Sequence, residues 1–320
     1  NYDNHKYHSW VAAPYTEDGI NIYSPVHNEW YGKFVDPKCT NESQLYQWVN
    51  SLTYVSSSNS GATYTYPIDY KLWTHPVHWD PNTFTCTQQN PTSYGAYHPS
   101  NIIKSPTDNY YYAMYQSSPD PTNYTKDGTC LMRTSNITSG ASAWEVWTGS
   151  GWDSSVTAVC QPVTTQMLPQ SLTFNTYLNS YIMLSNKWDS SGASTGVYYS
   201  LSKDLFNWSA PVKILNQDPT IPNTPYYPSL LDPQDTSRNF EKTGQEAYIY
   251  YTKSDPTGGL DRDMLRQKIR FLPAAIPPQP IDSFWSMEEA SWNGTVGEVI
   301  DSSGNTNHAT ATCIGAVCSV

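Results

Sequence analysis

Charge is scarce in this chain: Asp, Glu, Lys and Arg make up 14% of its 320 residues, against about 25% in an ordinary globular protein. The 17 basic residues form no run and are outnumbered by 28 acidic ones, for a formal net charge of −11. That argues against nucleic acid and anionic membrane as partners, because both are held by grouped Lys and Arg. No stretch approaches the ~20 apolar residues needed to span a bilayer. No secretory leader is visible ahead of Asn1, which reads as a processed terminus. The chain also lacks a G-x-S-x-G elbow, an H-E-x-x-H helix, a P-loop and a dinucleotide fingerprint, so the chemistry those motifs support has no foothold.

Aromatic residues are abundant instead, with 26 Tyr and 12 Trp, and they recur in phrases. One runs from His98-Pro99-Ser100-Asn101 through Tyr110-Tyr111-Tyr112 and Cys130-Leu131-Met132-Arg133 to Trp144. Looser copies run from Ser171 through Tyr181-Ile182-Met183 and Tyr198-Tyr199-Ser200 to Trp208, and from Tyr227-Pro228-Ser229 through Tyr248-Ile249-Tyr250 to Arg270. An earlier copy starts at Ser9-Trp10, with Glu17-Asp18-Gly19 as a hairpin turn. Four short strands repeating at roughly 50 residues are the mark of a β-propeller blade. The blade-like units span about 8–66, 97–148, 171–215 and 227–271. Four blades are readable, and a five-bladed ring is expected, its remaining blade drawn from Tyr70–Tyr94 or from upstream residues. The expected organisation is an all-β propeller over 1–272, a proline-rich linker over 273–280, and the start of a jelly-roll module over 281–320.

Six cysteines lie at Cys39, Cys86, Cys130, Cys160, Cys313 and Cys318, with no Cys-x-x-Cys spacing. An even count in a polar chain favours disulfides and therefore a secreted or cell-surface protein. Of the connectivities open to six cysteines, the expected one is Cys39–Cys86, Cys130–Cys160 and Cys313–Cys318. Sequons at Asn41, Asn123, Asn136, Asn207 and Asn293 agree with export.

Propeller geometry brings the starts of the inner strands and the ends of the second strands to one face. The inner-strand starts are His8, Trp10, Tyr97, His98, Gln170, Ser171, Tyr226 and Tyr227, and the second-strand ends are His27, Glu29, Gln116, Lys187 and Lys253. Flat aromatic faces with polar neighbours make a sugar site. The plainer reading of any one of them is a channel-filling side chain bonded to backbone. Glu29, flanked by His27 and two aromatics, is the candidate general acid. Glycoside hydrolysis needs a second carboxyl group, for which Asp80 and Asp3 are the candidates and Asp69 and Asp18 the lesser ones, Asp18 being explained by its turn. His27 and His98 would tune or orient the carboxyl groups, and Trp10, Tyr97, Gln116, Lys187, Tyr227 and Lys253 would contact sugar. His75 and His78 are weak evidence for a metal. No cofactor is specified, although a structural calcium ion is compatible with the sequence. Arg133, Arg266 and Arg270 sit on third strands, away from the axis.

The phrase His98-Pro99-Ser100-Asn101-Ile102-Ile103 with Tyr110-Tyr111-Tyr112, and the run Tyr198 to Leu205 leading to Trp208, resemble the blades of five-bladed propeller glycosidases of families 43, 32 and 117. The likeness covers about 8–271. Those families place a base Asp on the first inner strand, a tuning Asp on a later one and an acid Glu further on. This chain departs from them with His98-Pro99 at the second inner strand and no clear Glu opening the third or fourth blade. Around His27-Asn28-Glu29 and Cys130 to Thr134 it also resembles a group of secreted bacterial propellers without a clear activity. Asp204 is similar to the Asp box of sialidases, which implies a hairpin brace. Asp301 to His308, Asp-x-Ser-Gly-Asn-x-x-His, resembles the opening of a laminin-G or concanavalin-like domain, which implies that the chain ends inside that module. Three readings follow: a secreted glycan-active propeller that hydrolyses a glycosidic bond, a non-catalytic carbohydrate-binding or adhesion propeller, and a structural protein of extracellular assemblies joined through its C-terminal module.

Overall fold

The computed structural model describes residues 8–31, 48–74, 93–118, 127–189, 193–221, 224–257, 261–272, 285, 291, 293–302, 306–314 and 317–319. Regular structure is almost wholly strand, divided between two compact units, Asn1–Phe271 and Leu272–Val320.

The first unit is built from antiparallel meanders of propeller type, each called a blade below, and among the described residues they form a ten-stranded sheet, in which a parallel pair of strands joins the first two meanders, a five-stranded sheet and a three-stranded sheet. Blade one comprises β1 (His8–Val11), β2 (Ile22–Tyr31), β3 (Trp48–Ser57) and β4 (Lys71–Trp73). Blade two comprises β5 (Ser93–Tyr97), β6 (Ile103–Lys104), β7 (Tyr111–Ser118), β8 (Gly128–Thr134), β9 (Glu145–Trp147) and β10 (Trp152–Asp153). Blade three is β11 (Ser171–Asn175), β12 (Ser180–Trp188), β13 (Ser194–Ser202) and β14 (Val212–Asn216). Blade four is the three-stranded sheet of β15 (Tyr226–Leu231), β17 (Glu246–Ser254) and β18 (Arg262–Arg270), while β16 (Lys242–Thr243), between β15 and β17 in the chain, joins the sheet of blade three.

The stretch 70–94 differs from expectation. Lys71–Trp73 pairs with β3 inside blade one, and Ser93 and Tyr94 open blade two, so its described residues go to those two blades. Towards the end of the 8–66 unit, only one bridge, Ser56 to Thr65, joins residues 58–70 to β3. Residues 58–64 close a polar turn in which the Asn59 and Ser57 side chains take up the backbone donors.

Alternation along the strands explains how the blades stack, since successive side chains point to opposite faces. On β7, Tyr111, Ala113 and Tyr115 pack with Leu52, Tyr54 and Trp73 of blade one. Their neighbours Tyr112 and Met114 pack with Leu172, Tyr181 and Met183 of blade three. Ile182 and Leu184 of β12 face the other way and meet Leu230, Ala247 and Ile249 of blade four. Each interface between consecutive blades is thus an apolar layer supplied by one parity of each strand. The predicted disulfide Cys130–Cys160 is present, with Cα atoms 6.0 Å apart, and it ties β8 to the segment after β10.

Blades four and one meet through polar loops. The Asn239 side chain accepts from Thr16 N and donates to Thr16 O, both at 2.9 Å, and Arg238 donates to Glu17 O at 3.2 Å. The same loop carries Glu241, whose Oε1 accepts from Lys104 N of blade two at 2.6 Å. It then enters β16, which pairs in parallel with β11 of blade three. One loop of the last blade therefore touches all three of the others. Glu241 is buried, and desolvation raises its pKa.

Two aspartates brace hairpins in the same way. Asp204 accepts from Phe206 N, Asn207 N and the Asn207 side chain, in agreement with a bracing role. Asp18 accepts from Ile20 N, Asn21 N and the Asn21 side chain, and those bonds lower its pKa to about 2.

The second unit is small. Bridges join Trp285 to Asp301 and Val299 to Ala309. The Asp301 Oδ2 accepts from Asn307 N at 2.9 Å, and Asp301 N donates to His308 Nδ1 at 2.9 Å. Its hairpin, β19 (Thr312–Ile314) and β20 (Val317–Ser319), places Cys313 and Cys318 as direct Cα partners. Cys39 and Cys86 lie outside the described residues.

Candidate functional site

Four blades contribute to one cavity of about 510 Å³, a size that accommodates a small ligand or the end of a longer one. Trp10, Ala12, His27 and Glu29 come from blade one, and His98 and Pro99 from blade two. Gln170 comes from the start of blade three, and Tyr227, Pro228, Ser229 and Arg262 from blade four.

Register explains the first group. Trp10 lies opposite His27, and His8 opposite Glu29, in the antiparallel pair β1–β2. His27 and Glu29 are two residues apart, so they share a face with those partners. Glu29 also faces Asn50 across β2–β3. The buried Asn50 Oδ1 lies 2.7 Å from His27 Nε2, which sets that nitrogen as the donor.

The second and fourth groups come from one short phrase used twice, Tyr97-His98-Pro99-Ser100 and Tyr226-Tyr227-Pro228-Ser229. In both, the residue before proline adopts a left-handed backbone, with φ of 43° at His98 and 50° at Tyr227. A residue before proline is ordinarily extended, and a left-handed non-glycine costs on the order of 1–3 kcal/mol. The strain falls at two positions that both line the cavity. At Tyr226–Ser229 it coincides with a register shift against β17.

The two imidazoles form the floor of an aromatic cluster. Their ring centroids are 4.9 Å apart, and Tyr97 and Trp48 pack beside His27 at 6.0 and 6.4 Å. Burial pulls the pKa of His27 down from 6.5 to about 4, partly offset by its bond to Asn50. Burial also takes His98 down to about 4, with His27 lowering it further and Glu29 raising it. Both are neutral at pH 7. Tyr226 packs on Tyr227 with centroids 4.1 Å apart, and burial raises its hydroxyl to about 12.

The cavity wall is less enclosed than the floor. Trp10 is 58% exposed and Tyr227 41% exposed, so two large aromatic side chains are open to solvent in a concave site. Arg262 stands 5.6 Å from the centroid of the Tyr227 ring. Glu29 is half-buried and is the one carboxylate lining the cavity among the described residues.

Several residues named from the sequence lie off this cavity. Tyr97 and Gln116 are Cα partners across β5–β7, and Tyr97 is buried behind His98. Lys187 lies over the Tyr198 ring at 5.4 Å, and Lys253 faces Asp263 across β17–β18. Asp3 and Asp80, like His75 and His78, lie outside the described residues. No group of three His, Cys, Asp or Glu side chains among the described residues is arranged to hold a metal ion, and no helix there is long and apolar enough to cross a membrane. Sequence reasoning misses Arg262, which opens a third strand, because propeller geometry sets third strands away from the axis. It also misses Pro99, Pro228 and Ser229, although the repeated Tyr-x-Pro-Ser phrase marks all three.

No family model and no curated protein sequence matches the chain. Solved structures of similar backbone include a protein of unknown function from Dyadobacter fermentans, at 15% identity and a TM-score of 0.46 over 83% of this chain and 67% of that one. The family 117 glycoside hydrolase Zg3597 of Zobellia galactanivorans is 11% identical, with a TM-score of 0.47 over 83% of this chain and 69% of its own. The β-1,2-mannobiose phosphorylase of Listeria innocua is 10% identical, with a TM-score of 0.47 over 81% and 70%. At these identities the chemistry of the site is read from the chain's own residues.

Proposed function

We propose that the chain is an extracellular carbohydrate-active propeller that binds a glycan in the cavity shared by its four blades. One observation carries this reading: Trp10 and Tyr227 expose broad rings inside a concave site whose remaining polar groups, Gln170, Ser229, Glu29 and Arg262, come from separate elements. Exposed aromatic rings in a concavity stack on the C–H faces of sugars, while the polar groups take the hydroxyls. The disulfide between Cys130 and Cys160 supports an oxidising location.

Hydrolysis is the further step of this reading. Glu29 would protonate the leaving oxygen; the reaction needs a second carboxyl group about 5–10 Å from the first, and Asp3 and Asp80 are the candidates for that role. The neutral His27 and His98 would stand behind Glu29 as fixed dipoles and add no charge.

A glycan array probed with the parent protein, Trp10→Ala, Tyr227→Ala and Glu29→Gln tests both steps, with release of reducing ends scored beside binding. The expected result is binding by the parent and by Glu29→Gln, and loss of more than tenfold in affinity in either aromatic variant. Product from the parent that disappears in Glu29→Gln establishes the hydrolase; binding without product leaves a lectin-like protein. Absence of binding by the parent to every glycan refutes the reading.

A further inference from the structure

A second concavity of about 460 Å³ lies on blade four, lined by Tyr227, Ser229, Leu231, Phe240, Tyr250 and Met264 among others. Tyr227 and Ser229 line both it and the central cavity, so the two adjoin at these residues. The parity of blade four explains the groove. Ala247 and Ile249 turn inward to blade three, which leaves Tyr248 and Tyr250 on the opposite face. Opposite Tyr248, Tyr250 and Thr252 on that face stand Lys268, Arg266 and Met264.

Cations gather on this face of an otherwise acidic chain. Arg262, Arg266, Lys268 and Arg270 occupy alternate positions of β18, interrupted by Met264. Charges on an exposed edge strand also discourage edge-to-edge association, and Lys268, bonded to Glu246 at 2.7 Å, is accounted for in that way. Arg262 differs from it. It lines the central cavity, leans over Tyr227, and takes no part in the ion pairs among the described residues, which are Lys104–Glu17, Arg133–Glu145 and Lys268–Glu246. A guanidinium held beside an aromatic ring presents its planar fork to a carboxylate or sulfate.

Resting on the glycan-binding reading above, we propose that the central cavity and the blade-four groove form one continuous site for an acidic glycan. Its terminal sugar stacks in the cavity, the chain crosses Tyr227, and Arg262 pairs the carboxylate or sulfate of the sugar at the crossing. Arg266, held 4.7 Å over the Tyr248 ring and bonded to the Tyr250 hydroxyl at 3.2 Å, is the next cation along the track. The two arginines are four residues apart, roughly 13 Å along the strand, so only an oligosaccharide reaches both.

Calorimetric titration with galacturonic acid, tetragalacturonate, a sulfated galactotetraose and neutral galactotetraose tests this, at low and at physiological salt. The parent is expected to bind at least one acidic tetramer ten or more times tighter than the neutral one, with the margin narrowing as salt rises, and the two acidic arms distinguish carboxylate from sulfate. Arg262→Gln, at an exposed position, should erase that margin by weakening the acidic tetramer far more than the neutral one, and Arg262→Lys should restore part of it. Arg266→Gln should weaken the tetramers and leave the monosaccharide unchanged. Equal affinity for neutral and acidic tetramers overturns the acidic assignment but leaves the glycan site standing, whereas no binding of any oligosaccharide removes both. A parent that sediments as a dimer, becomes monomeric on Met264→Glu, and gains nothing from oligosaccharide length assigns the groove to self-association and overturns the proposal.

Discussion

The paired imidazoles of the site give the chain a pH dependence that can be worked out in advance. His27 and His98 titrate at 6.5 when unfolded and at about 4 when folded, in both cases chiefly through burial. The folded protein therefore binds fewer protons than the unfolded chain between those values, and stability rises with pH across that window. The contribution is complete above pH 6.5 and is lost as pH falls towards 4. For one imidazole with these two values, lowering the pH from 7 to 4.5 costs about 2.4 kcal/mol. Replacing His27 with Gln keeps a donor for the Asn50 oxygen and removes one of the titrating groups. Urea unfolding at pH 7 and pH 4.5 measures the effect: the acid-induced loss should be smaller in the variant by about 2 kcal/mol. Removal of His27 also relieves the neighbouring charge that lowers His98, which moves the result in the same direction. Carboxyl groups that titrate near this window, such as Glu241, whose pKa burial raises, are common to parent and variant and cancel in the comparison, while Asp18, held at about 2 by its turn, contributes only below pH 4. An acid-induced loss equal in parent and variant refutes the burial argument and with it the neutral floor of the cavity.

Two further predictions concern the frame of the site. The Cys130–Cys160 bridge closes a separation of 30 residues, worth about 3.6 kcal/mol by loop-closure entropy. The double variant Cys130→Ala, Cys160→Ala should therefore melt about 6 °C lower by calorimetry, and a shift below about 2 °C means the segment after β10 is held by other contacts. Gly95 has a φ of +116°, and a Cβ there would stand in contact with the Asn50 carbonyl. Gly95→Ala should then cost more than about 3 kcal/mol and uncouple β3 from β5, with a measured loss under 1 kcal/mol counting against that close approach.

The sequence showed the blades more readily than what joins them. A blade is local: alternation on β7 and β12, the hairpin turns at Asp18 and Asp204, and the Tyr-x-Pro-Ser starts are all contained in short windows, and the structure places strands there. The loop 232–241 was illegible because its partners, Thr16, Lys104 and Phe174, are distant in sequence and are met through backbone groups. No side-chain pattern announces such contacts. The cavity was half-legible for the same reason. Trp10, His27, Glu29, His98, Gln170 and Tyr227 converge because strand ends converge in any ring of blades, whereas Tyr97 and Lys187 point elsewhere because parity at a strand end is set by register. The left-handed turns fall at His98 and Tyr227, two of the residues that line the cavity. Neither dihedral can be inferred from a residue that precedes proline, since that position favours the opposite conformation. Yet both strained residues follow a buried or half-buried tyrosine in the same four-residue phrase, one per blade, and both line the same cavity. Strain of this kind persists only where surrounding packing holds it, and here the packing is the aromatic floor itself. His98 is pinned by His27 and Tyr97, and Tyr227 by Tyr226. Relaxing either turn would withdraw a ring from the cavity wall and would leave the blades' apolar layers intact, so the feature least expected from the sequence belongs to the site rather than to the fold.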